Sequence, residues 1–271
     1  MIPQDPVLIR RLLIRPGAIG DFILSLPALE TLRADYTEIW CAESNIPLAF
    51  CADRARSIIS AGLDRLGFLH ADDVIERLRG FDSIVSWYGT NRPEFRELVR
   101  SLGLPITFLP ALPRDGTMHA VEFYKAQAFE ITGKRGSRFP RLPVPSADRS
   151  LAAIHPFASS GAKRAPFDLF RQIARRLSER MPVRWLRGPE ETLPVDISGE
   201  IITDLYELGK FLSHARIYVG NDSGVTHLAA AVGTPVMAFF RTTNPRVWAP
   251  RGVSVDVVRM RPVEVPGTHS S

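Results

Sequence analysis

The sequence predicts an α/β protein made of two parallel sheets, each covered by helices. Three observations carry this. Apolar, strand-like runs alternate with segments of helical spacing along most of the chain. A stretch rich in Pro, Gly, Ser and Arg, residues 136–150, breaks the alternation near the middle, and the alternation restarts after it. Two polar turns, one in each half, follow an apolar strand and open a helix. The reading therefore divides the chain into residues 1–135, a linker at 136–150, a second unit at 151–260 and a tail at 261–271.

The elements follow in order. Residues Leu8–Ile14 form a nearly continuous apolar run, interrupted only by Arg10 and Arg11, as expected of a central parallel strand. A helix is expected over Phe22–Arg33. Short strands are expected at Glu38–Cys41, Ser83–Trp87 and Ile106–Leu109, with helices at Asp72–Arg79, Pro93–Leu102 and His119–Ile131 between them. Past the linker come a strand at Leu151–His155, a helix at Asp168–Arg180 and a strand at Val183–Leu186. A helix at Leu205–His214, a strand at Ile217–Val219, a helix at Val225–Val232 and a strand at Pro235–Phe240 follow. A last strand is read at Val253–Val258. In sheets of this kind ligands bind at the carboxyl ends of the strands, so both polar turns should open into a cleft between the halves.

Composition narrows the function classes. The 271 residues are 45% hydrophobic and 23% charged, ordinary for a globular protein. No basic, apolar leader and no stretch long enough to span a bilayer is present, so a cytoplasmic location is expected. Cys41 and Cys51 make neither a disulfide framework nor a metal cluster and read as small buried hydrophobes. The net charge is +5, and lysine occurs only at positions 125, 134, 163 and 210, so the positive charge is mostly arginine. Arginine suits bidentate phosphate contacts. The excess fits an anionic substrate, an anionic membrane face, or no partner at all. No nucleic-acid motif or aromatic-basic interleaving is seen.

The motif in the second half is Val219-Gly-Asn-Asp-Ser-Gly-Val-Thr-His-Leu-Ala-Ala-Ala-Val-Gly-Thr-Pro235. Asp222 and Ser223 can cap a helix whose free N–H groups then face an anionic group. His227 lies on that helix near the same mouth. The motif in the first half is Leu12-Leu-Ile-Arg-Pro-Gly-Ala-Ile-Gly-Asp-Phe-Ile-Leu-Ser-Leu-Pro-Ala-Leu-Glu-Thr-Leu-Arg33. A third stretch is His155-Pro-Phe-Ala-Ser-Ser-Gly-Ala-Lys-Arg-Ala-Pro166. Taken alone, these residues leave alternatives open: Asp21 as a helix cap, Lys163 as a surface lysine, His227 as a helix histidine.

Together the three stretches resemble glycosyltransferase family 9, which contains the heptosyltransferases of lipopolysaccharide core synthesis. The resemblance implies the GT-B arrangement, two Rossmann-like domains facing across a cleft. It implies an inverting, metal-independent transfer of a sugar from a nucleotide-diphosphate donor to a glycolipid or other saccharide acceptor, with no cofactor; the alternatives on the same fold are a non-catalytic sugar-nucleotide-binding protein and another GT-B enzyme such as a sugar-nucleotide epimerase. An anionic acceptor and a peripheral contact with the inner membrane surface are further expectations; nucleic acid is not an expected partner. The resemblance places the catalytic base at Asp21, with Gly17 and Gly20 allowing close approach to the backbone. It places phosphate contacts at Lys163, Arg164, Ser159, Asp222, Ser223, Gly224 and His227, and a nucleoside contact at Glu190. Asp222 is expected to hold the turn through backbone N–H bonds. Arg241 departs from the family pattern and is a candidate extra cation. Arg92 and Arg96 are candidates for acceptor phosphates.

Overall fold

The computed structural model describes residues 8–66, 71–113, 116–145 and 147–260. The expected tail at 261–271 and the first seven residues lie outside them. The first sheet is formed by β1 (Arg10–Arg15), β2 (Tyr36–Cys41), β3 (Arg54–Ser57), β4 (Ser83–Ser86) and β5 (Ile106–Phe108), in the order β3-β2-β1-β4-β5, all parallel. Its helices are α1 (Ile19–Thr31), a single turn α2 (Ile58–Ala61), α3 (Asp72–Arg79), α4 (Pro93–Ser101) and α5 (Ala120–Thr132). The second sheet is formed by β6 (Leu151–His155), β7 (Val183–Leu186), β8 (Gly199–Glu200), β9 (Ala215–Asn221), β10 (Val236–Phe240) and β11 (Val255–Arg259). Its order is β11-β10-β9-β6-β7-β8, again all parallel. The helices here are α6 (Phe167–Ser178), α7 (Leu205–Ser213), α8 (Gly224–Ala231) and the single turn α9 (Pro245–Trp248).

The central strands are apolar because both faces are covered. Leu12, Leu13 and Ile14 of β1 are completely or almost completely buried, as are Ala152, Ala153 and Ile154 of β6. Leu13 packs under α1 and α5, while Leu12 and Ile14 face the α3–α4 side. Cys41 and Cys51 are buried in the core, and loss of hydration pushes both thiols up to about 12. They therefore pack as neutral side chains, as the composition suggested.

The two halves meet through α1 and α8, and one apolar cluster runs across both, including Phe22, Leu26 and Leu29 on one side and Leu228, Ala229 and Ala230 on the other. Glycine permits this approach. A Cβ on Gly224 would lie 2.7 Å from the Ile19 Cβ. His119, at the start of α5, adds a polar tie: its Nδ1 accepts from Val121 N–H, and its Nε2 donates to the Ala249 carbonyl at 2.9 Å. The stretch read as a linker carries no helix or strand in its described residues, yet it is not loose. Leu142 is buried, and its N–H donates to the Ala231 carbonyl at 3.0 Å.

Two boundaries move in a way that matters for the site. Helix α1 begins at Ile19, not Phe22, with the Phe22 N–H donating to the Ala18 carbonyl. Strand β9 extends to Asn221.

Candidate active site

Both motif turns lie at carboxyl ends of central strands, β1 and β9, and they face each other. Between them is a cavity of about 580 Å³ whose walls include Gly20, Asp21, Ser159, Lys163, Asp222, Ser223, Gly224 and His227. Ile19, Leu24, Leu112, Thr243 and Trp248 complete much of the rest. A second cavity of about 380 Å³ joins it, sharing Ile19, Ser159, Ser223 and Gly224. Its walls are mainly apolar, with Leu186, Ile202, Leu205 and Leu208 beside Glu191, Glu200 and His155.

The first turn of any α-helix has N–H groups without intrahelical acceptors. Here the starts of α1 and α8 open on the same space, so two sets of donors and two positive dipole ends converge. Asp21 sits in the first turn of α1, half-buried, rather than at the cap, which is Ala18. A carboxylate in a first turn is favoured by the dipole.

The Asn221–Thr226 turn is held by side chains other than the one expected. Asn221 is completely buried; its Nδ2 donates to the Pro156 carbonyl and its Oδ1 accepts the Ala165 N–H. Thr226 Oγ1 bonds the Asn221 carbonyl, Ser223 Oγ and Tyr218 Oη. Asp222 does not brace the turn through N–H groups. Its carboxylate, 7% exposed, pairs with Lys163 Nζ at 3.0 Å. The pair fixes the lysine ammonium at the cavity wall.

His227 is 5% exposed, and among the described residues its Nδ1 has no hydrogen-bond partner. Burial drives its pKa down and outweighs the opposing pull of Asp222, so the ring is neutral near pH 7. The ring packs on the backbone of Gly20: a Cβ there would lie 2.9 Å from His227 Cδ2. Gly17 has φ +122°, a conformation that favours glycine, and stands behind the wall rather than in it.

Five expected contacts are placed elsewhere. Glu190 is exposed and lines neither cavity; its neighbour Glu191 does. Glu191 Oε2 accepts from His155 Nε2 at 3.0 Å and from the Gly188 N–H at 2.6 Å. Burial alone would raise its pKa, but these donors, with His155 and Arg164 nearby, bring it below the usual carboxylate value. Arg164 points away from the cavities, with its guanidinium donating to the Ala158 carbonyl and stacking on Phe157. Arg241 adds no cation to the wall, since its Nη1 donates to the Arg164 carbonyl at 2.7 Å. Arg92 and Arg96 line neither cavity; Arg92 bonds Tyr88 Oη, and Arg96 lies over Phe108. Among the described residues no group of three or more His, Cys, Asp or Glu side chains has metal-binding geometry. No helix among them is long and apolar enough to cross a membrane.

An α/β protein with paired parallel sheets and an anion-directed cavity between them is thus defined by the geometry alone. Comparison with known proteins identifies its family. The sequence pattern of glycosyltransferase family 9 (heptosyltransferase) matches residues 114–268, more than half of the chain. The chain belongs to that family. Lipopolysaccharide heptosyltransferase 3 of Escherichia coli is 43% identical over 44 residues, 16% of this chain and 13% of that protein. The K12 protein of the same name is 41% identical over 61 residues, 22% of this chain and 17% of that one. These alignments span less than a fifth of the curated relatives.

Solved structures match over nearly the whole fold. A family 9 glycosyl transferase from Veillonella parvula superposes with TM-score 0.72 at 15% identity, covering 93% of this chain and 86% of that one. E. coli heptosyltransferase WaaC with ADP gives 0.70 at 16% identity, covering 93% of each chain. E. coli ADP-heptose lipopolysaccharide heptosyltransferase II gives 0.69 at 20%, covering 93% and 91%. The GT-B architecture is therefore the fold of this chain.

Proposed function

We propose that this protein is an inverting glycosyltransferase of the heptosyltransferase type, transferring a sugar from a nucleotide-diphosphate donor to a saccharide hydroxyl without a metal or other cofactor. The observation that carries the proposal is the convergence of two helix N-termini, Lys163 and Asp21 on one cavity.

In this reading the donor nucleoside occupies the apolar cavity, its base against Leu186, Leu205 and Leu208 and its ribose near Glu191. The diphosphate lies at the start of α8, contacted by the N–H groups of Gly224 and Val225, by Ser159 and Ser223, and by Lys163. The acceptor hydroxyl oxygen attacks the anomeric carbon while its proton passes to the Asp21 carboxylate. The bond from the anomeric carbon to the phosphate oxygen breaks, and its electron pair leaves on the diphosphate. Positive charge and oriented N–H dipoles stabilise that leaving group. His227, buried and neutral, packs between the two helix starts and keeps them apart at a fixed distance. ADP-heptose is the first donor to test, because solved relatives are described with ADP and with an ADP-heptose analogue. The proposed acceptor is a lipopolysaccharide-core or related saccharide, met at the cytoplasmic face of the membrane by peripheral contact.

The test begins with thermal shifts against ADP-, UDP- and GDP-linked sugars, with and without EDTA. A ligand that binds only the native state raises the melting temperature by mass action. An EDTA-insensitive shift with an ADP-linked sugar, followed by transfer to a core acceptor, is expected. Asp21→Ala should keep the shift and lose transfer. A shift abolished by EDTA, or transfer retained by Asp21→Ala, would overturn metal independence or the base, respectively.

A further inference from the structure

Arg15 closes β1 and is only 2% exposed, yet among the described residues no carboxylate forms an ion pair with it. Desolvating a guanidinium is costly, and an apolar side chain of the same volume would fill the place without that cost. Its charge therefore calls for an explanation. Its Nη1 donates to the Pro16 carbonyl at 2.9 Å and its Nη2 to the Asp21 carbonyl at 3.0 Å. These two carbonyls bracket the turn that carries Gly17, Gly20 and Asp21. The Gly17 carbonyl between them accepts from the buried Asn45 Nδ2 at 3.1 Å. The guanidinium is clamped 4.6 Å from the Tyr124 ring centroid and 5.7 Å from that of Trp87. Trp87 is itself locked by its Nε1 donating to Gln127 Oε1. Two aromatic faces thus hold the cation, while its Nε has no partner among the described residues.

Gly17 connects this cation to the site. A Cβ at Gly17 would stand 3.6 Å from Arg15 Nη1 and 3.5 Å from Asp21 Oδ2. The buried cation and the Asp21 carboxylate therefore both lie against Gly17, the residue between them in the turn.

We propose that Arg15 is the positioning residue of the transfer site. Its guanidinium braces the Pro16–Asp21 turn from behind and sets the Asp21 side chain by charge across Gly17. The proposal rests on Asp21 being the base. It assigns Arg15 no contact with donor or acceptor. Loss of Arg15 should consequently lower kcat and leave donor KM and ADP affinity nearly unchanged, because the proposed donor contacts come from the other half of the molecule.

The experiment compares Arg15→Met, Arg15→Lys, Arg15→Ala and Asp21→Asn for melting temperature, ADP affinity and transfer kinetics. A misplaced reacting group costs about 100-fold in rate, and that is the fall in kcat expected for Arg15→Met, with KM and ADP Kd within about threefold of the parent. Should Arg15→Met not fold, Arg15→Lys carries the test: it keeps the charge but cannot fork to both carbonyls, so about a tenfold loss in kcat alone is expected. Guanidinium ion added at low concentration should restore part of the activity of Arg15→Ala and none of that of Asp21→Asn. Wild-type kcat in Arg15→Met beside an inactive Asp21→Asn would overturn the Arg15 proposal and keep the base. Full activity in Asp21→Asn would overturn the base itself, and Arg15's role with it. Parallel loss of melting temperature, ADP binding and kcat, without guanidinium rescue, would mark Arg15 as a structural residue only.

Discussion

Gly20→Ala tests whether α1 and α8 meet as tightly as the geometry requires. The new methyl group would sit 2.9 Å from His227 Cδ2 and 3.3 Å from its Nε2, inside normal carbon contact distance. The His227 ring has little room to yield, being 5% exposed and wedged beneath the cavity. Overpacking of this kind costs about 1–3 kcal/mol. Gly20 is helical with an ordinary φ, so the substitution also gains up to about 1 kcal/mol of helix propensity. The expected net loss is about 1–2 kcal/mol, which for a chain of this size lowers the melting temperature by roughly 2–8 °C. The decisive control is the same change in a His227→Ala background, where the clashing ring is gone. There Gly20→Ala should be neutral or slightly stabilising. An equal loss in both backgrounds would show that the cost does not come from the α1–α8 contact, and the packing argument would fail.

Lys163→Met removes the ammonium from the cavity wall and leaves Asp222 unpaired; a charged hydrogen bond of about 1.5–3 kcal/mol corresponds to roughly 10–100-fold weaker ADP binding by calorimetry. His119, whose pKa is lowered to about 4 by burial first and by Arg251 second, gives a pH signature. Since the unfolded chain takes up the proton near pH 6.5 and the folded one near 4, stability is complete above 6.5 and falls as pH descends between them, by about 3 kcal/mol at most. His119→Asn should flatten that part of the melting-temperature profile. Glu191 acts at lower pH: its folded pKa is below 4.5, so its contribution is present above that value and is lost on further acidification. Glu191→Gln should remove the corresponding drop, and it should weaken binding of adenosine-containing ligands more than Glu190→Gln does.

The strands whose burial comes from their own sequence were legible from it. Leu151–His155 and Val183–Leu186 are strands with those boundaries; the first is a nearly continuous apolar run buried on both faces, while the second alternates, with Arg184 exposed. Strand β3 was not legible, since Arg-Ala-Arg-Ser carries no apolar face to read. It owes its place to pairing with β2 and to Arg56, whose Nε bonds the buried Glu38 at 2.7 Å. The start of α1 was misplaced by one turn because Gly20-Asp21 reads as a polar turn. In the fold Gly20 is helical, selected by the approach of His227 from the other half, a constraint no local pattern carries. Glu190 and Glu191 were indistinguishable in sequence, and only the return of the loop to His155 separates them. Arg15 was harder still: an arginine at the end of an apolar run looks like the end of the strand, and its burial depends on Tyr124, distant in sequence.

The same long-range logic bears on how a carboxylate and the proposed phosphate site share one cavity. Asp222 next to an anion site would repel the ligand if its charge were bare, but Lys163 neutralises it, so the pair adds little net field. In the proposed reading the attraction for the diphosphate comes from the start of α8 together with the Lys163 ammonium. Asp21 lies on the opposite wall in the first turn of α1, where the dipole favours its charge, and Arg15 stands behind it rather than in front. In the proposal above, placing Asp21's positive support on the protein side leaves the cavity side of the carboxylate for the acceptor proton. In the proposed transfer, Lys163 on the second half and Arg15 behind the first put positive charge on the two sides of the displacement proposed above.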